Sequence, residues 1–139
     1  MVDRDVLKQR LSLLCEYIDD LDQAAAISLD DFLKDKVTRR YIERTLQLAI
    51  EACLDIGSHL IADLKLREPA DNKDIFTVLV ESGFLPGERK NDYRKMAGFR
   101  NIIVHDYVRL DPEIVYGILE NGISDLRGFS RAIKMQFLS

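Results

Sequence analysis

Apolar side chains recur at intervals of three and four residues along most of the chain, which is the spacing of one face of an α-helix. This spacing predicts helices over residues 3–26, 36–65 and 71–82, a fourth from residue 86 onward, and a last one after residue 111. The sustained two-residue alternation typical of strands does not occur. We therefore expect an all-α fold, an antiparallel up-and-down bundle of about four or five helices that forms a single domain over residues 1–139.

Helix ends are marked by residues that suit them. Ser28, with Asp31 three residues later, can cap a short turn before the second long helix. Gly83 suits the left-handed position after the third helix. Asp111 followed by Pro112 is a strong signal for the start of the last helix.

The apolar stripes also predict which residues face the core. In the second long helix the stripe includes Val37 and Tyr41, and in the last helix it includes Ile114. Gly57, in the second long helix, would let a neighbouring helix approach closely.

Composition restricts the class of protein. Hydrophobic residues make up 47% of the chain and charged residues 32%, as in soluble globular proteins. No apolar run approaches the roughly 18 residues of a membrane span, and the charged N-terminus lacks the apolar region of a signal peptide, so we expect a cytoplasmic protein. Cys15 and Cys53 lie in apolar helical patterns, which favours buried free thiols over a disulfide.

The charge distribution is uneven. The formal net charge of −4 argues against binding nucleic acid through overall electrostatic attraction. Residues 86–109, however, contain six basic and three acidic side chains, whereas residues 1–35 contain four basic and nine acidic ones. A local positive face is therefore compatible with the acidic total.

Residues 100–107 include several polar and titratable side chains, although the apolar residues between them are typical of a buried helix. On a continuous helix, Tyr107 would lie about 20° from Arg100 and His105 about 140° from it. Asn101 and His105 stand four residues apart, so the amide could hydrogen-bond the imidazole and fix its orientation.

Arginine and histidine together suit RNA cleavage without a metal. An imidazole can transfer a proton near neutral pH, and a guanidinium can stabilise the charge that develops on the phosphate. The 2′-hydroxyl would be the nucleophile, so DNA should be inert. The residue types alone leave another interpretation open, in which His105 is an ordinary helix-end imidazole bonded to a backbone carbonyl and Arg100 is a surface charge.

The surrounding residues resemble a known family. The pattern R-N-x-x-V-H-D-Y resembles the R-x4-H-x-Y motif of HepT toxins in the HEPN superfamily. The similarity extends to the helix YIERTLQLAIEACLDIGSHLI, to the GFLP connector and to the helix LDPEIVYGIL, and so covers nearly the whole chain.

The resemblance implies a set of roles. Arg100 and His105 match the ribonuclease residues of that family, with Asn101 and Asp106 as supporting residues. Tyr107 matches the tyrosine to which a partner, the minimal nucleotidyltransferase MntA, transfers AMP from ATP and thereby silences the toxin. The resemblance also implies a homodimer whose two motifs face one cleft.

Other functions find less support. The clustered aspartates are not accompanied by a Glu-x-x-His pair on two helices, and nucleotide-hydrolase, dinucleotide, serine-hydrolase and zinc motifs do not occur, so we expect neither a metal nor a cofactor. His59 is better explained as a packed or partly exposed residue. The alternative to an RNA-cleaving toxin is a non-catalytic HEPN module that binds a nucleotide or a nucleotidyltransferase partner through the same polar face.

Overall fold

The computed structural model describes residues 1–139 and contains six α-helices and no strand. The α-helices are α1 (Arg4–Ala24), α2 (Leu29–Lys34), α3 (Lys36–Asp63), α4 (Asn72–Glu81), α5 (Lys90–His105) and α6 (Pro112–Phe137). Two short 3₁₀ helices, Gly87–Arg89 and Tyr107–Arg109, precede and follow α5. The all-α prediction is confirmed, and α2 adds a helix where only a capped turn was expected.

The long helix α3 lies at the centre of the bundle, where it packs against each of the other five α-helices. The interior is one hydrophobic cluster of 32 buried residues drawn from all six α-helices. Central burial explains why α3 has apolar residues around much of its circumference. None of the helices combines the length and the apolar content needed to cross a bilayer.

The residues predicted to mark three helix ends are confirmed in that role. The Ser28 hydroxyl accepts a hydrogen bond from the Asp31 amide at 3.1 Å, and Asp111 caps α6, in which Pro112 is the first residue. After α4, Gly83 has a φ of +80°, and its amide donates to the carbonyl of Val80. A left-handed residue of this kind ends a helix while satisfying its last carbonyls.

Close approach between α3 and α4 depends on Gly57. A Cβ atom at this position would lie 2.6 Å from Cγ2 of Ile75, a distance that side chains do not tolerate. The absent side chain therefore lets α4 lie directly against α3. This contact matters for function because α4 begins at Asn72, which belongs to the candidate site.

Some residues predicted to face the core lie at the surface. Val37 is 80% exposed, Ile114 59% and Tyr41 49%. The prediction was wrong here because helical spacing identifies a face of a helix but not how far the neighbouring helices extend along it. Cys53 is buried and free as expected, whereas Cys15 is free but only half-buried.

Candidate active site

The polar segment lies at the C-terminal end of α5. The α-helix ends at His105, because Asp106 adopts φ −149° and ψ 46°, outside the helical region. Tyr107 then begins a separate 3₁₀ helix. The expectation that Tyr107 lies about 20° from Arg100 on a shared helical face was therefore wrong, since it assumed that α5 continues through Asp106.

The guanidinium of Arg100 is held between α3 and α5. Its Nη2 lies 3.8 Å from Oε2 of Glu51, and its Nη1 donates to Oδ1 of Asn101 at 3.3 Å. The side chain keeps 21% of its surface exposed, and its buried Nε has no acceptor within the chain. Gln47 donates to the other carboxylate oxygen of Glu51 at 3.0 Å, which fixes the acid that faces the arginine.

Asn101 connects α5 to α4. Its Oδ1 accepts from Arg100 and also from Nδ2 of Asn72 at 3.2 Å. The predicted hydrogen bond between Asn101 and His105 does not form within the chain, and the amide oxygen accepts from these two donors instead. Asn72 and Glu51 belong to the site but were not found from the sequence, since they lie in other helices and no motif marks them.

His105 is the exposed last residue of α5. Five residues along an α-helix separate two side chains by about 7.5 Å of rise and about 140° of rotation. Arg100 and His105 therefore leave α5 in different directions, and no hydrogen bond or ion pair joins them within the chain. The carboxylate of Asp106 pairs with Nε of Arg109 at 3.4 Å rather than with Arg100 or His105.

Tyr107 is fixed by a residue of α3. Its hydroxyl donates to Oε1 of Glu43 at 2.6 Å, and Glu43 is 5% exposed. The hydrogen bond to this carboxylate, and secondarily burial, raise the pKa of the Tyr107 phenol above its usual value. The ring itself remains 48% exposed.

A basic cleft lies beside α5 on the N-terminal side of the site, and neither Arg100 nor His105 lines it. It has a volume of about 280 Å³ and is lined by Lys73, Asn91, Arg94, Lys95 and Gly98. Its three cations form no ion pair with a carboxylate, and Arg94 is instead held by a hydrogen bond to Thr77 at 2.7 Å. Residues seven apart lie on the same side of a helix, so Gly98 lies above His105 and Arg94 above Asn101.

A larger cleft lies elsewhere. A cavity of about 540 Å³ opens between α1 and α6, where Arg89, Arg127 and Arg131 contribute to its lining. Neither Arg100 nor His105 lines it. Arg127 is paired with Asp22 at 2.9 Å and Arg89 with Asp125 at 2.8 Å, so much of its positive charge is already neutralised.

A known protein family matches most of the chain. The family described as "Ribonuclease HepT-like" matches residues 14–133. An mRNA nuclease HepT from Shewanella oneidensis is 31% identical over 105 residues, which are 76% of this chain and 79% of the relative. A tRNA nuclease HepT from Aphanizomenon flos-aquae is 33% identical over 111 residues, 80% of this chain and 76% of the relative.

Solved structures with the same fold include toxin–antitoxin complexes. A toxin–antitoxin structure with AMP-PNP superposes with a TM-score of 0.86 at 27% identity, covering 94% of this chain and 98% of the other. A tri-AMPylated Shewanella oneidensis HEPN toxin in complex with its MNT antitoxin gives a TM-score of 0.85 at 27% identity, with the same coverage.

Proposed function

The chain belongs to the HepT-like ribonuclease family, and from this premise we propose that it is an endoribonuclease toxin that cleaves RNA without a metal, using Arg100 and His105. The observation that carries the proposal is the constrained, half-buried guanidinium of Arg100 on the same helix as the exposed imidazole of His105. Family membership favours this enzyme over a non-catalytic nucleotide-binding module.

The chemistry assigns each side chain a role. The 2′-hydroxyl of the RNA attacks the adjacent phosphorus, and the 5′-oxygen of the next nucleotide leaves. His105 transfers a proton in this step, and Arg100 stabilises the negative charge that develops on the phosphate oxygens. Asn101 orients Arg100, because the amide oxygen accepts a hydrogen bond from the guanidinium.

We also propose that the chain acts as a homodimer. Exposed apolar side chains occur in the first turns of α3 and in the second 3₁₀ helix, where Val108 is 97% exposed. The bond between Tyr107 and Glu43 joins these two segments, so their apolar residues lie at the same end of the molecule. Burial of such residues against a second copy would remove apolar surface from water and could bring the two Arg100/His105 sets to one cleft.

The basic cleft supports RNA as the substrate, and we separately propose that the protein acts in the cytoplasm. Lys73, Arg94 and Lys95 present positive charge that no carboxylate of the chain neutralises, and phosphate groups supply the complementary charge. The cleft follows the side of α5 on which His105 lies. An RNA strand in the cleft would therefore be directed toward His105.

We also propose that modification of Tyr107 inhibits RNA cleavage. An MntA-like nucleotidyltransferase antitoxin is proposed to attach AMP to Tyr107, in keeping with the antitoxin complexes and the AMPylated toxin among similar structures. Tyr107 lies two residues after His105, so a bulky phosphate ester there would compete with the RNA phosphate by charge and by volume.

The proposal is tested with purified protein, single-stranded RNA and EDTA. Wild type should cleave the RNA, and His105→Ala should lower the rate by about 10²-fold to 10⁴-fold, the usual contribution of a proton-transfer group. His59→Ala is the matched control, because His59 is a half-buried histidine of α3 next to Asp55 and should leave the rate unchanged. Cleavage that needs an added metal, or full activity in His105→Ala, would reject the mechanism.

A further inference from the structure

The hydroxyl of Tyr107 is positioned to react with a group that approaches from the solvent side. Its proton is donated inward to Glu43, 2.6 Å away, and Glu43 is a buried residue with 5% of its surface exposed. The tyrosine side chain is itself 48% exposed. The O–H bond is directed at Glu43, and the side chain of Arg40 is placed to hydrogen-bond the same oxygen from α3. One lone pair is left for an electrophile that approaches from the open side.

We propose that Glu43 is the proton acceptor for nucleotidyl transfer to Tyr107, so that the modified protein supplies the base for its own modification. The inference rests on the proposed regulation by AMP transfer from ATP. In the step, the Tyr107 oxygen attacks the α-phosphorus of ATP and forms the new O–P bond. The bond from that phosphorus to the oxygen bridging to the β-phosphate breaks, pyrophosphate leaves, and the phenolic proton passes to Glu43.

The charges around the phenol require a base in contact with it. Glu43 and Arg40 face Tyr107 from α3, while Asp106 and Arg109 pair with each other. The carboxylate raises the pKa of the phenol more strongly than Arg40 lowers it, so free phenolate is scarcer than for an ordinary tyrosine. The proton must therefore leave as the O–P bond forms, and Glu43 is the acceptor already in place.

A purely structural role would not explain a carboxylate at this position. Burying a charged group without a cationic partner is costly, and no ion pair neutralises Glu43. A glutamine would accept the same hydrogen bond from Tyr107 and anchor the second 3₁₀ helix at a lower desolvation cost. What the carboxylate adds over the amide is basicity.

Glu43→Gln separates the two roles, because it keeps the acceptor oxygen and removes the basicity. AMP incorporation at Tyr107 is followed by mass spectrometry with two donors: an MNT-type nucleotidyltransferase with Mg-ATP, and adenosine 5′-phosphorimidazolide, which needs no enzyme. With each donor, Glu43→Gln should react about 10²-fold more slowly than wild type. Asp55→Asn is the control, since Asp55 is another α3 carboxylate, paired with Arg10 at 2.7 Å, and should react at the wild-type rate.

The pH profile adds a readout that a structural role would not change. The wild-type rate should be nearly constant between about pH 6 and 9, because proton transfer to Glu43 does not require prior formation of phenolate, whereas the Glu43→Gln rate should rise with pH as phenolate forms.

The results distinguish the role of Glu43 from the proposed AMP transfer to Tyr107. Modification of Glu43→Gln at the wild-type rate, with an unchanged pH profile, overturns the inference, as does a slow rate accompanied by lost helicity. If wild type reacts with the phosphorimidazolide but not with the nucleotidyltransferase, the proposed regulation is contradicted, while the comparison of Glu43→Gln with wild type still decides the role of Glu43. Label that persists in Tyr107→Phe overturns the assignment of the reacting residue.

Discussion

Arg100 is oriented by side chains from three helices. Glu51 of α3 lies beside the guanidinium, Asn101 of α5 accepts a hydrogen bond from it, and Asn72 of α4 donates to the same amide oxygen. An arginine held before substrate arrives needs little reorganisation when charge develops on a phosphate. The geometry of the cation therefore depends on residues outside the motif.

Asn101→Ala should slow cleavage without preventing RNA binding. A hydrogen bond to a charged group contributes about 1.5–3 kcal/mol, so we expect a fall of roughly tenfold or more in the single-turnover rate at saturating RNA. Asn121→Ala is the control, because the amide of Asn121 donates to the Gly117 carbonyl within α6. An unchanged rate in Asn101→Ala would remove this residue from the site.

The sequence predicts the site residues that lie within the motif but not those that lie in other helices. Arg100, His105 and Tyr107 are conspicuous because their motif occupies eight consecutive positions in one segment. Glu43, Glu51 and Asn72 are distant in sequence, and only the packing of α3 and α4 against α5 brings them to the site. Periodicity identifies buried faces but does not pair residues of different helices.

Several helix boundaries are set by single residues and their immediate neighbours in the sequence. Caps at Ser28 and Asp111 and the left-handed Gly83 were predicted because each depends on one residue type and its immediate neighbours. The end of α5 was not predicted, because apolar residues continue past Asp106 and no glycine or proline follows it directly. Placement of Tyr107 depends on that boundary.

The connection between α3 and α4 should lose stability at acid pH. Arg67 donates to both carboxylate oxygens of Asp74, at 2.7 and 2.8 Å, and to Glu81 at 2.9 Å. These bonds hold the pKa of the Asp74 carboxyl, and that of Glu81, below their usual values. A lowered folded-state pKa stabilises the fold above the unfolded-state value, near 4, and that stabilisation is lost as pH falls through the folded-state value.

Arg67→Gln tests this linkage by urea unfolding at several pH values. The variant should be less stable than wild type near neutral pH, and the difference should shrink as pH falls below about 4. The control is Arg131→Gln, because Arg131 forms no ion pair in the chain and its effect should not depend on pH. A difference that stays constant down to about pH 2 would contradict the assigned role of Asp74.

Positive charge is concentrated in one cleft of a protein whose net charge is negative. The chain carries a formal charge of −4, yet Lys73 and Lys95 line a cleft with no acidic residue among its lining side chains. The excess of basic residues around α5 was evident from the sequence. The contribution of Lys73 was not, because it comes from α4.

The double variant Lys73→Gln/Lys95→Gln should bind RNA more weakly and with less dependence on salt. Each lost phosphate contact should lower the slope of log affinity against log salt by about 0.7 for a single strand. Lys8→Gln on α1 makes the same change of residue outside the cleft and should preserve the wild-type slope. Identical slopes in the double variant and in Lys8→Gln would place the RNA elsewhere.

The ends of the RNA products show whether Arg100 and His105 cleave RNA through its own 2′-hydroxyl. RNA cut in EDTA should carry a 2′,3′-cyclic phosphate or its hydrolysed form on one fragment and a 5′-hydroxyl on the other, and a single 2′-deoxynucleotide at the scissile position should block cleavage there. Fragments with a 3′-hydroxyl and a 5′-phosphate, or undiminished cutting at the deoxynucleotide, would contradict attack by the 2′-hydroxyl.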